Sequence, residues 1–294
     1  MIASILPDID MSDSVKFGFQ VWNTFMKSVY ALLTESPSQF KDGEIWKAVQ
    51  KINPYFITVG TIAVSLCFAM GLVKNQVDLK REMNIEMAIK LFARISIAEW
   101  LLTNTFYIID AIFSAATWLI GKVLTGGVKK MSLSKAQLKL FEEVDPIESI
   151  VLLIFGFICL VVVIVLAMVM IYTVYSRFFK VYVSAPFSAL AIAGVAGGGM
   201  GHVARANLQN MITYALEGVA ISMTLFVCSK FIGSGLDLGL KTGNSDTVKA
   251  MAVLIEKTFT IALTVGLTKG AENLVRKNLG LWNRKEMNIW SISV

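Results

Sequence analysis

Four carboxylates, Glu99, Asp110, Glu217 and Glu256, stand inside stretches that are otherwise apolar. An ionised side chain at the centre of a bilayer costs about 2.5–3.5 kcal/mol on insertion scales. Each of the four therefore needs water, a counter-charge or a partner helix. A water-lined path or an ion-coupled site is one reading, and hydrogen bonding between helices of a bundle or oligomer is the other. The second carries more weight, because no long-period internal repeat of the kind that builds secondary transporters is present.

Other chemistries find no residues to carry them. Nucleophilic or hydrolytic catalysis needs a Ser, Cys or His with a positioned base and an orienting group, and no such set is legible. His202 is the only histidine; without acidic or cysteine neighbours it reads as a loop residue rather than a ligand or base. Cys67, Cys159 and Cys228 lie in apolar runs, where cysteine behaves as a small hydrophobe, so neither a disulfide nor a metal site is expected. Gly197-Gly198-Gly199 lacks the Gly-Lys-Ser/Thr that completes a phosphate loop. No cofactor is expected, and any energy-consuming role would need a partner ATPase.

The elements that hold these residues are set by composition. The chain has 294 residues, 55% of them hydrophobic and 16% charged, with a mean hydropathy of +0.66. Soluble proteins carry about 25% charge. The apolar residues gather into runs long enough to cross about 30 Å of hydrocarbon, so the expected fold is an all-α, polytopic membrane protein. Lys and Arg number 27 against 21 Asp and Glu, an excess that suits loops touching anionic headgroups. No dense basic cluster interleaved with aromatics points to nucleic acid. Asp8, Asp10 and Asp13 near the start do not fit a secretory signal, so the first span is expected to act as its own insertion signal.

Val15 to Leu33 places Val15, Phe19, Trp22, Met26, Tyr30 and Leu33 on one helical stripe. Its partner is either the protein itself or the membrane interface, which its aromatics would suit. A Ser/Pro turn at 36–38 and a short helix over Gly43 to Lys51 follow, and Asn53-Pro54 opens the first span, Tyr55 to Val73. A basic-acidic start at Glu86, Lys90 and Arg94 leads into a second span, Ile95 to Ile120, on which Glu99, Thr103, Asp110, Ser114 and Thr117 keep one face polar. A polar connection with a short helix at Ser134 to Glu143 precedes the charge-free span Ile150 to Tyr175. Arg177 lies just past its end, where a long cation reaches headgroups or a neighbouring subunit.

Val181 to Val203 sets Ala185, Ala189, Ala193, Gly197 and Gly201 at four-residue steps, a face that admits close helix approach. Pro186 and the glycines also allow a broken or re-entrant element. Met211 to Phe231 and Val248 to Thr268 complete five spans, with Val181 to Val203 as a sixth. Residues 1–52 are expected to form interfacial helices, 53–271 the bundle and 272–294 a basic tail, anchored by Trp282 and Trp290. If all six cross, the side bearing both termini holds the larger share of loop Lys and Arg, which points to cytoplasmic termini.

The order of these features resembles the TrbL-type polytopic membrane subunits of bacterial conjugation and type IV secretion systems. The residues that carry it are the aromatic-rich N-terminal helix, "KLFARISIAEWLLTNTFYIIDAIF", "VYSRFFKVYVSAPFSALAIAG" and "NMITYALEGVAISMTLFV". The run "GVAGGGMGHVARAN" is more glycine-rich than the family pattern. The resemblance implies a non-enzymatic inner-membrane channel or scaffold subunit that helps move DNA with its bound protein. Its partners would be other secretion subunits including ATPases, membrane lipid, further copies of itself and, transiently, the transferred DNA. It also implies an exterior N-terminus and interior C-terminus, which agrees with the charge bias only if one segment is re-entrant. Glu99, Thr103, Asp110, Arg177, Pro186, Ala189, Gly197, Glu217 and Glu256 are the expected assembly or pore-lining residues. The alternatives are an independent transporter or ion channel, and a purely structural scaffold.

Overall fold

A computed structural model describes residues 11–77, 85–125, 130–142, 146–196, 201–234, 239 and 245–279. Among them the elements are α1 (Met11–Thr34), a 3₁₀ turn (Phe40–Gly43), α2 (Glu44–Val77), α3 (Ile85–Thr103), α4 (Thr105–Leu124), α5 (Lys135–Glu142), α6 (Pro146–Ala193), α7 (Gly201–Ser234), α8 (Asp246–Lys269) and α9 (Ala271–Asn278). Among the described residues five stretches are long and apolar enough to cross a membrane: Phe40–Gly71, Thr105–Leu124, Ile150–Ala193, Gly201–Ile232 and Asp246–Lys269. The protein is an all-α polytopic membrane protein. Only 17% of the apolar window of Ile150–Ala193 is buried, against 56% in each of the last two stretches. The greasiest helix therefore leaves most of its surface uncovered by the described residues.

The chain divides into two compact units. The first comprises Met1–Leu33, Ile120–Tyr175 and Ala220–Ala271. Here the stripe of α1 is spent on the protein itself: Val15, Phe19, Trp22, Met26 and Leu33 are all buried, and Gly18 faces Leu160 of α6. Asn23 ties down the approach to α5, donating from Nδ2 to the Met131 carbonyl at 2.8 Å and accepting from the Met131 N–H at 2.9 Å. Ser134 and Gln137 then form a reciprocal capping box at the start of α5. α5 packs on α8, whose Thr260, Thr264 and Thr268 are buried. Each hydroxyl donates to the carbonyl four residues earlier at 2.8 Å.

The second unit comprises Thr34–Leu119, Ser176–Val219 and Glu272–Val294. Its core joins Val64 and Cys67 of α2, Ala98 and Leu102 of α3, and the alanines 189, 193 and 196 at the end of α6. Gly60 allows this packing, since a Cβ there would lie 2.6 Å from Leu102 Cδ1 and 3.3 Å from the Ala189 carbonyl. The turn into α2 is held on α6: Phe40 stacks on Phe178 at 4.7 Å, and the Tyr182 hydroxyl donates to the Pro37 carbonyl at 2.9 Å. Gly43 has φ +73° and a Cβ on it would meet the Ser38 carbonyl at 2.6 Å, so this turn requires glycine.

Four expectations change. The short helix over 43–51 and the first span are one helix, with Pro54 inside α2. The second span is not a single helix over 95–120, for it breaks at Asn104. There the side chains of Thr103, Asn104 and Thr105 bond back to carbonyls of residues 99–102, while the Asn104 N–H keeps the Trp100 carbonyl at 3.1 Å and the Ile108 N–H the Asn104 carbonyl at 3.0 Å. Ile150–Tyr175 and the segment beginning at Val181 are continuous in the 48-residue α6, Pro186 included. The sixth element is thus no separate helix, and the chain leaves α6 through turn residues 194–196. His202 stands in the first turn of α7 rather than in a loop.

Candidate functional site

Charged residues converge where the second unit brings α6, α7 and α9 together. On α7, Asn210, Tyr214 and Glu217 recur at helical spacing and so share one face. On α9, Glu272 and Arg276 are a turn apart. Lys180 of α6 links the two helices: its Nζ lies 3.3 and 3.4 Å from the Glu217 carboxylate oxygens and also binds Glu272. The same ammonium sits 5.9 Å from the Tyr214 ring centroid. Arg276 closes the set, with Nε 3.2 Å and Nη2 3.1 Å from Glu272 Oε1 and Nη1 donating to Asn210 Oδ1 at 3.2 Å.

Among the described residues Arg177 is the most buried cation, at 2% exposure. Its guanidinium lies 4.9 Å from the Phe178 ring centroid, its Nε has no hydrogen-bond partner, and the carboxylate whose charge reaches it is Glu217. The Glu217 side chain is 3% exposed, whereas those of Lys180, Glu272 and Arg276 are partly open. Arg177, Lys180 and Arg276 against two carboxylates leave one positive charge in excess. Burial pushes the Glu272 carboxyl up, but Lys180 and Arg276 outweigh it and hold the group below its ordinary value. As bridges between α6, α7 and α9, these groups are suited to clamping the three helices together.

The structure brings Arg177 and Glu217 into one site and places Arg177 inside the protein rather than at an exposed span end. Pro186 and Ala189 are buried further along α6. Glu99 is half-buried, while Thr103 and Ser114 are exposed. Asp110 is half-buried with one carboxylate oxygen, Oδ1, enclosed and without a partner. Glu256 is buried in the first unit, on the threonine stripe of α8. Gly197, Trp282 and Trp290 lie outside the described residues. Among the described residues no three His, Cys, Asp or Glu are grouped to hold a metal. Sequence reasoning missed Lys180, Glu272, Arg276 and Asn210 as members of the site. The Glu272/Arg276 spacing was a usable signal, but nothing local tied either to Lys180.

A family described as TrbL/VirB6 plasmid conjugal transfer like protein matches residues 22–189, more than half of the chain. No curated protein and no solved structure matches it. The matched stretch contains Arg177 and Lys180, and their acidic partners lie beyond it.

Proposed function

The chain belongs to the TrbL/VirB6 plasmid conjugal transfer-like family, and from that premise we propose that it is a channel or scaffold subunit of a conjugative type IV secretion machine in the bacterial inner membrane. As a family member it is a component of conjugal transfer machinery, and its five apolar stretches make it multi-pass. The family match is the observation that carries this reading. The protein works without chemistry of its own, beside secretion ATPases and other subunits, as a homo-oligomer that contacts the transferred DNA only transiently.

The outer face of α3 and α4 supports the assembly part. Glu99, Thr103 and Ser114 lie toward the surface there, among the exposed Trp100, Tyr107 and Trp118. The Thr103 hydroxyl is already bonded to the Glu99 carbonyl, whereas the Glu99 carboxylate on such a face is costly against lipid and calls for a neighbouring helix. A donor strain lacking the gene, complemented with wild type or Asp110→Leu, tests this. Wild type restores DNA transfer and co-purifies secretion ATPases; Asp110→Leu inserts in the membrane but fails in both. Solute flux through liposomes containing this protein alone, with normal DNA transfer in the deletion strain, would instead establish an independent channel or transporter.

A further inference from the structure

In the second unit, α3 carries two charges beside its buried stripe. Ile95, Ala98 and Leu102 face the core shared with Val64 and Cys67 of α2, and those two residues belong to the membrane-crossing stretch Phe40–Gly71. This part of α3 therefore lies at membrane depth. With 3.6 residues per turn, Arg94 and Glu99 stand about 70° to either side of the stripe, one on each flank.

Arg94 is exposed and Glu99 half-buried. Among the described residues neither side chain has a hydrogen-bond or ion-pair partner, whereas Lys90, one turn before Arg94, is paired with Glu86 at 2.5 Å. An exposed arginine beside a membrane can reach lipid phosphates. The Glu99 carboxylate has no such recourse, because hydrocarbon penalises it and anionic headgroups repel it. Around the two charges Phe92, Ile97 and Trp100 are 66%, 54% and 59% exposed, so the same surface also offers apolar area.

Resting on the homo-oligomer already proposed, we propose that a second copy of this chain docks on α3, with the Arg94 guanidinium of one copy paired to the Glu99 carboxylate of the next. Charge complementarity selects a copy as the occupant, since the helix supplies both halves of the pair. The two residues are about 140° apart around α3, too far round to pair within it. Copies in one membrane share their orientation, so the contact sets the flank of Arg94 against the flank of Glu99. Such a heterologous contact repeats from copy to copy and closes a ring when the rotation allows. Along the axis the partners are offset by five residues, about 7.5 Å, which the long arginine side chain bridges.

The test co-expresses two differently tagged versions of the full chain, extracts them in mild detergent and captures one tag. Wild type brings down its tagged copy. Arg94→Glu, or Glu99→Arg, tested against its own kind sets like charges together and lowers capture about tenfold or more. Arg94→Glu co-expressed with Glu99→Arg recovers capture, because every interface again holds one cation and one carboxylate; that recovery also shows both variants folded. Lys90→Gln, which breaks the pair with Glu86, leaves capture unchanged. Wild-type capture by either single variant against its own kind, a loss that the mixed pair does not recover, or the same loss from Lys90→Gln overturns the interface. DNA transfer in the complemented deletion strain separates this result from the role in conjugation. Undisturbed capture and normal transfer in the single variants remove the interface alone, whereas charge-dependent capture with normal transfer in the uncomplemented strain removes the conjugative role alone.

Discussion

Two regions of this protein bury polar groups in apolar helices by opposite means. On α8 the threonines 260, 264 and 268 each donate to a carbonyl of their own helix. At the junction of α6, α7 and α9, Glu217 is bonded by Lys180, from a segment 37 residues away. A hydroxyl can close its hydrogen bond locally at little cost, whereas a buried charge needs a counter-charge that its own helix does not supply. The threonine stripe therefore closes its donated bonds locally, whereas the charged cluster is bonded through the tertiary fold. Substitutions in the two should differ accordingly.

The largest effect is expected at Glu217→Ala, which leaves Arg177 buried without the carboxylate that compensates it. Breaking a buried pair costs about 3–5 kcal/mol. Thermal unfolding of the detergent-purified protein should show a marked drop in apparent Tm, and an unchanged Tm would erase the contrast with α8. Ala189→Leu comes next, because the new side chain enters the fully buried contact with Gly60 and Leu102. Overpacking of this kind costs about 1–3 kcal/mol, while Leu190→Ala, at a half-buried position, should cost less. A reversed order in the same melting assay would mean that this face is not packed.

Thr264→Val should lower stability by only about 0.5–1.5 kcal/mol, because the carbonyl it releases belongs to an intact helical turn. A loss as large as that of Glu217→Ala would show that the threonine stripe also depends on distant partners. The smallest effect is set by pH at Glu272. Its folded-state carboxyl is held below the ordinary value, so its contribution is complete above that value and is lost as pH falls through the depressed one. Wild type should melt earlier on acidification across the acidic carboxylate range, and Glu272→Gln should show a shallower dependence there. Parallel curves would remove Glu272 from the clamp.

Much of the architecture was legible from local pattern. The stripe of α1, the short helix starting near Ser134 and the presence of several apolar spans follow from periodicity and run length, which depend on residues near in sequence. Helix breaks were less legible. Pro54 and Pro186 read as boundaries but lie inside α2 and α6, because flanking contacts hold a helix that has lost one hydrogen bond. Asn104, which carries no such warning, separates α3 from α4 among three neighbouring polar side chains that bond back to the preceding turn.

By itself the sequence determined that this is a multi-span helical membrane protein, which of its residues are polar in apolar surroundings, and the family to which it belongs. The first two follow from composition and spacing, because hydrocarbon demands internally satisfied helices of a minimum length, and the family follows from the match over residues 22–189. Only the tertiary structure decided which polar residues meet. Arg177 read as a cation at the end of a span, and Glu217 as an isolated interruption. They share a site because α6 continues past Tyr175 and α7 and α9 bring carboxylates to it from residues 217 and 272. Charge pairing across such separations is set by the packing of whole helices, and that packing has no local periodicity from which to read it.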